Sequence, residues 1–233
     1  MAAPVAVDRC DTLVSTGGTR PLLWKWRAFV RRLFGLLRLG AGLAILAAVI
    51  GQFAYTAGRA TINPFNFFGY FTIQSNLITM VAFLASAFFI LTGRKQPDWV
   101  ISLRAVATTI IVIVGLVYNT LLAGAALGDS FNLIWSSNIL HIVIPIYALV
   151  DWVLFADRRV LSYREIWMVL IYPIVWLVVI LIRGATDGWV PYPFLDPATG
   201  YGSVAAYSLG IAAVTVLFGF AVFALSRVRI LTP

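Results

Sequence analysis

The sequence predicts an all-α, polytopic integral membrane protein with six transmembrane helices and both termini in the cytoplasm. Three observations carry that prediction. Hydrophobic residues make up 61% of the chain and charged residues only 11%, whereas a soluble domain carries about a quarter charged residues. Six runs reach the roughly 20 apolar residues needed to cross a bilayer core. Of the 17 Lys and Arg residues, only Arg59 and Arg183 fall outside the termini and loops of one side.

The runs lie at about 39–58, 67–91, 101–125, 133–155, 166–183 and 204–226. Backbone in hydrocarbon must satisfy its own hydrogen bonds, so each run is expected to be helical. A β-barrel would instead show alternating segments of about 10 residues. With an even number of spans the termini share a side. That side holds the basic residues from Arg9 to Arg38, then Arg94, Lys95 and Arg104, then Arg158, Arg159 and Arg164, then Arg227 and Arg229. Excess Lys and Arg marks the cytoplasmic face, which predicts a multi-pass cell-membrane protein.

The chain divides into a basic cytoplasmic tail (1–38), the six-helix domain (39–226) and a short cytoplasmic tail (227–233). The net charge of +8 reads as a topology signal. A nucleic-acid partner has no basic soluble domain to act through. Leu22–Arg38 mixes aromatic and basic residues and fits either an interfacial helix or, more simply, a positive flank. The first twenty residues read as a disordered tail. The first apolar run starts late and is long, which fits a retained anchor rather than a cleaved leader. Cys10 is the only cysteine, so no disulfide framework is expected. Small residues in the first span (Gly40, Ala44, Ala47, Ala48, Gly51) suit close helix packing.

Function is sought where polar groups enter the apolar runs. His141 is the only histidine and sits mid-run. An ionisable group at that depth is expensive and is a functional candidate. Placing the spans puts Thr72 and His141 each roughly 9 Å below the outer face, and Tyr118 and Asn119 at about 9–11 Å. Asn138 precedes His141 by one helical turn. Thr72, Ser75, Asn76, Asn119, Asn138 and His141 therefore share one layer, with Thr72, Asn76 and Thr79 on one face of span two. Each residue also has a structural reading: Thr bonds its own i−4 carbonyl, Asn joins helices, Ser75 packs. Asp151, ten residues past His141, is expected to pair with a nearby arginine.

A hydroxyl becomes a nucleophile when a base takes its proton, and neutral histidine is the usual base. Thr72 and His141 at matched depth thus suggest a catalytic dyad, with Ser75, Asn76, Asn119 or Asn138 available as oxyanion or substrate donors. No acidic third member lies at that depth; Asp187 in the outer loop is a weak candidate. One histidine cannot build a bis-histidine haem or an ordinary zinc site. No Gly-x-Ser-x-Gly elbow or phosphate-binding glycine loop is present, so neither a metal nor a cofactor is expected.

At these residues the chain resembles the androgen-induced membrane protein family, and within it the bacterial members. Three patches carry the likeness: Tyr70-Phe71-Thr72, Asn138-Ile139-Leu140-His141 with Pro145, and Gly188-Trp189-Val190-Pro191-Tyr192-Pro193-Phe194-Leu195. The resemblance covers the core from about span two to span six. It implies six spans, a threonine nucleophile at Thr72, a catalytic histidine at His141, and cleavage of fatty acid esters of hydroxy fatty acids. Pro191 is inserted relative to the family pattern, Arg183-Gly184 stand where members carry histidines, and the basic tail is extra. These departures bear on substrate identity more than on architecture.

Trp189 and Tyr192 suit a membrane-interface cap. Arg183 suits a substrate carboxylate or, equally, an ion pair with Asp187. The first functional expectation is an intramembrane lipid hydrolase acting on a fatty-acyl ester. The second is a non-enzymatic binder or transporter of a membrane lipid or amphiphile. The third is a structural subunit whose polar layer only joins helices.

Overall fold

The computed structural model describes residues 20–122 and 132–231, with side chains from residue 25 onward. The N-terminal tail with Cys10, the expected end of span three at 125 and the last two residues lie outside them. The described residues are helical, without a β-strand, and contain six helices long and apolar enough to cross a membrane. These are Lys25–Ala57, Phe71–Leu91, Asp98–Leu122, Ile134–Leu154, Tyr163–Thr186 and Tyr201–Leu225.

Each span follows from its apolar run, but the first begins well before the expected residue 39. Helix α1 (Arg20–Ala57) is continuous for 38 residues, so Leu22–Arg38 is its first half and not a separate surface helix. Arg38 does not end the span because it is fully buried and paired. A short helix, α2 (Pro64–Gly69), is capped by the Asn63 side chain and leads through Tyr70 into α3 (Phe71–Leu91). Helix α4 (Asp98–Val117) ends in a π-turn at Tyr118–Leu122. The fourth span has three pieces: α5 (Ile134–Asn138), a π-turn at Ile139–Val143, and α6 (Ile144–Leu154). Helices α7 (Met168–Thr186) and α8 (Tyr201–Leu225) complete the bundle.

Helix α4 is central: 67% of its most apolar stretch is buried, against 17% for the span that contains α7. One apolar core joins α1, α3, α4 and α6 through Ile45, Ile73, Phe83, Ile111 and Ile144. A second, at the end where α8 finishes, joins α4, α6 and α8 through Ile101, Trp152 and Phe223. At the opposite end the α7–α8 connection folds inward, burying Tyr192 and Leu195 against Trp176 and Ile180.

The end of the bundle where α3 and α6 finish is held by buried charge. Arg38 and Arg104 each pair with both Asp151 and Asp157. Arg38 also donates to Ser86 on α3 at 2.9 Å, and Gln96 donates to Asp157 at 2.8 Å. Asp151 thus has its expected arginine, and in fact two. The quartet carries no net charge, which lets four ions sit where a lone one would be prohibitive. Burial alone would raise the Asp157 carboxyl, but Arg104 and Arg38 outweigh it and hold Asp157 far below its ordinary 3.8. Its contribution to stability is therefore complete above that ordinary value, and is lost only as pH falls towards the depressed one.

Removing one member of a buried pair costs about 3–5 kcal/mol. Asp151→Asn, which leaves two arginines facing one carboxylate, will therefore lower the thermal unfolding midpoint in detergent sharply. Asp98→Asn, which removes an exposed partner of Arg159, will barely move it. Equal midpoints for Asp151→Asn and wild type would show that the quartet does not anchor the bundle.

Candidate functional site

Pro145 shapes the layer that contains His141. The Ile144 N–H reaches back five residues to the Ile139 carbonyl, the π-turn register. The Leu140 carbonyl thereby loses its ordinary α-helical donor. Pro145 has no N–H, so it supplies neither the α-helical donor to the His141 carbonyl nor the π-register donor to that of Leu140. Neither of these two neighbouring carbonyls can take a hydrogen bond from residue 145. Asn76 Nδ2 donates to Leu140 O at 3.3 Å and to Thr72 O at 2.9 Å. Asn119 Nδ2 donates to His141 O at 3.4 Å and to Gly115 O at 2.7 Å. This side-chain repair of freed backbone is what tolerates a membrane proline.

Gly115 permits the contact. A Cβ there would lie 2.9 Å from Pro145 Cβ and 3.2 Å from His141 O. The absence of a side chain lets α4 press directly on the π-turn.

His141 itself stacks on Tyr118, ring centroids 3.7 Å apart at an interplanar angle of 18°. Its Nδ1 lies 2.9 Å from Ser137 O and 3.2 Å from Ser137 Oγ. A proton on Nδ1 given to the Ser137 carbonyl leaves Nε2 as the free acceptor. Ser137 Oγ is 3.0 Å from the Tyr118 hydroxyl. No hydrogen bond joins His141 to Thr72.

Thr72 faces elsewhere. Its backbone N–H donates to the Tyr192 hydroxyl at 3.3 Å, and burial pushes that hydroxyl up to about 12, so it stays neutral. Thr72 and Tyr192 stand at the head of a half-enclosed slot between α3, α4, α7 and α8. Its walls include Ile110, Val114, Leu177 and Ile211, and Phe194 and Leu195 close the loop end. The volume is about 110 Å³; a water needs roughly 10–15 Å³ by the same measure, so the slot has room for a short apolar chain. From Val117 to Ile110 on α4, and from Ser208 to Thr215 on α8, the lining spans seven residue steps, roughly 10 Å along each axis. Ser208 Oγ is buried there with no hydrogen-bond partner among the described residues.

The structure thus distributes the expected site residues over several tasks. Thr72 and Tyr192 come together at the slot. His141 sits with Ser137 and Tyr118. The Nδ2 groups of Asn76 and Asn119 are spent on carbonyls, which weakens them as oxyanion donors, although Asn76 Oδ1 is buried with no hydrogen-bond partner among the described residues. Ser75 is fully buried beside Tyr172. Asn138 is exposed, and its side chain makes no hydrogen bond among the described residues. Arg183 pairs with Asp187 at 2.7 Å, donates to Asn66 Oδ1 at 2.7 Å and lies 4.2 Å over the Trp189 ring. It fastens α7 to α2, and the Asp187 pairing is the one present. Trp189 packs on Tyr70 and against Gly69, where a Cβ would come within 2.7 Å of the indole.

Sequence reasoning passed over Ser137, Ser208 and Thr215. Ser137 is one turn before His141, and Ser208 and Thr215 are seven apart in an apolar run; both spacings were visible signals. No protein-family model, curated protein or solved structure matches this chain.

The carbonyl repair is testable by a double-mutant cycle. Asn119 faces outwards at this level, where an acceptor left unpaired in hydrocarbon costs about 1–3 kcal/mol or more, so Asn119→Leu will destabilise the protein by that order. Pro145→Ala restores a backbone donor, so in that background Asn119→Leu will cost measurably less. An identical cost in both backgrounds would show that Asn119 does not serve the carbonyl that Pro145 frees.

Proposed function

We propose that this protein binds one hydrocarbon chain of a membrane amphiphile, a fatty-acyl ester or related lipid, with its polar end against Thr72 and Tyr192. The observation that carries this reading is the slot: apolar walls about 10 Å long, a hydroxyl pair at the head, and an unpaired Ser208 hydroxyl within. Mostly apolar clefts with a few placed polar groups are the usual form of small-molecule sites. The arginine distribution supports a cell-membrane protein with both termini cytoplasmic, the slot's head then lying in the outer half of the bilayer.

A second reading is ester hydrolysis at the same site, favoured by the Thr72 position at the slot's head and by the resemblance to the threonine hydrolases. Thr72 Oγ would attack the ester carbonyl while its proton passes to His141 Nε2, which then protonates the departing alcohol. Water would release the acyl group from the threonine. Because His141 is bonded to Ser137 instead, this chemistry requires the base to reach Thr72 on substrate binding. Catalytic hydrogen bonds often tighten only in the complex.

Filling the slot tests the binding reading. Leu177→Trp and Ile211→Trp will each reduce co-purifying acyl lipid, counted by native mass spectrometry, by about tenfold or more (two indole-for-aliphatic swaps in a narrow space). Thr72→Ala will retain the lipid. Full retention in both filled variants would move the ligand elsewhere. Fluorophosphonate labelling of wild type that vanishes in Thr72→Ala and His141→Ala would establish hydrolysis. Orientation is read from Cys10, which an impermeant maleimide will modify only after the cells are permeabilised.

A further inference from the structure

The end of the bundle opposite the slot's head holds a second cavity. It is walled by α1, by the turn between α3 and α4, and by the segment after α6. Five cations line it: Arg31, Arg94, Lys95, Arg158 and Arg159. Two carboxylates also line it, and both are engaged. Asp157 is shared by Arg38 and Arg104. Asp98 faces Arg159, which also holds Glu165 at 2.8 Å. Arg31, Arg94, Lys95 and Arg158 therefore have no carboxylate partner among the described residues.

Arg158 is the strongest indication. It is buried, 3% exposed. Its guanidinium donates to the carbonyls of Phe155, Leu225 and Val228, while its Nε has no hydrogen-bond partner among the described residues. Burial, reinforced by repulsion from Arg104 and Arg229 and only partly offset by Asp157 and Asp151, pushes it down to about 10. The N-terminus of α4, a helix of 20 residues, also borders the cavity through Asp98 and contributes its dipole. The Asp98 carboxylate opposes an anion, but it is exposed and turned towards Arg159.

We propose that this cavity binds a phosphate group, carried by the headgroup of an anionic membrane lipid or by a soluble phosphate compound. Phosphate oxygens accept several hydrogen bonds at once, and guanidinium groups suit them best. Arg31 and Arg94 grip from the rim, Lys95 adds charge, and Arg158 forms the floor. Basic pockets between transmembrane helices at the cytoplasmic surface are a known setting for anionic headgroups. This site is independent of the slot at the other end of the bundle.

The test uses the full chain in nanodiscs of phosphatidylcholine, read by the thermal unfolding midpoint. Short-chain phosphatidic acid or inorganic phosphate is titrated in, at matched ionic strength. Wild type is compared with Arg94→Gln/Lys95→Gln, both exposed turn residues whose loss leaves the fold intact, as the midpoint in phosphatidylcholine alone will verify. A saturable rise with phosphatidic acid, at an affinity about tenfold or more weaker in the double variant, and no response to inorganic phosphate, establishes a lipid headgroup site. The same rise with inorganic phosphate establishes a soluble source. No rise with either, or a rise equal in the double variant, overturns the proposal.

Discussion

The buried quartet of Arg38, Arg104, Asp151 and Asp157 is the constraint on which the rest of the bundle hangs. In a low-dielectric interior no member can be left unpaired, so three spans must meet at one level and in one rotation. Asp151 points from α6 towards both α1 and α4, and Ser86 draws in α3 through Arg38. Ridge-and-groove packing of smooth apolar helices admits several rotations. Ion pairs at 2.8 and 2.9 Å admit few. Fixing α6 at Asp151 also aims the residues one, two and three turns earlier, Tyr147 among them, whose hydroxyl reaches back to Asp151.

The same rule about unpaired polar groups explains the other end, with backbone in place of charge. Pro145 and the π-turn before it free two carbonyls, and the asparagines of neighbouring helices take one each. A π-turn also offsets side-chain directions relative to a plain helix, which changes where the residues within it point. His141 lies inside that turn, stacked flat on Tyr118. π-Turns occur often at functional positions, and this one sets a free ring nitrogen beside a small hydrogen-bonded cluster of Ser137 and Tyr118. Pro145 and Gly115 are thus a matched pair: a ring that removes a donor and a missing side chain that lets α4 come close enough to help replace it.

Much of this fold was legible and part of it was not, for physical reasons. Hydropathy gave six spans because twenty apolar residues have few other uses, and the pairing of Asp151 followed from the expense of an isolated membrane charge. The start of α1 was missed because Arg38 was counted among topology charges. An arginine between leucines in an apolar run, with Arg104 and Asp151 equally isolated in theirs, was the available sign that they belong together. Depth along a helix is a one-dimensional quantity, and it correctly put Asn76, Asn119 and His141 on one level. Rotation about the axis depends on packing partners far away in sequence, so depth did not reveal that Thr72 turns to Tyr192 while His141 turns to Ser137. The π-turns, which need only one extra residue per turn, leave almost no trace in hydropathy.

The two halves of the bundle are unequally packed, and that inequality bears on how a ligand would enter. Helices α1, α3, α4 and α6 share a continuous core and the quartet. Helix α7 turns Ile174, Val175, Val178 and Val179 outwards, and a second groove lies beside α8, between it and the end of α4, sharing Ile113, Val117 and Ile211 with the slot. Helix α8 is therefore flanked by space on both sides over the same stretch. Segments with few buried contacts open at lower free energy than the core they lean on. A lateral movement of α8 would widen one groove at the expense of the other without disturbing a single ion pair of the quartet. On the proposed binding reading, the rigid half would hold the hydroxyl of Thr72 in place while the looser half adapted to a bound chain: a fixed polar end and a yielding wall.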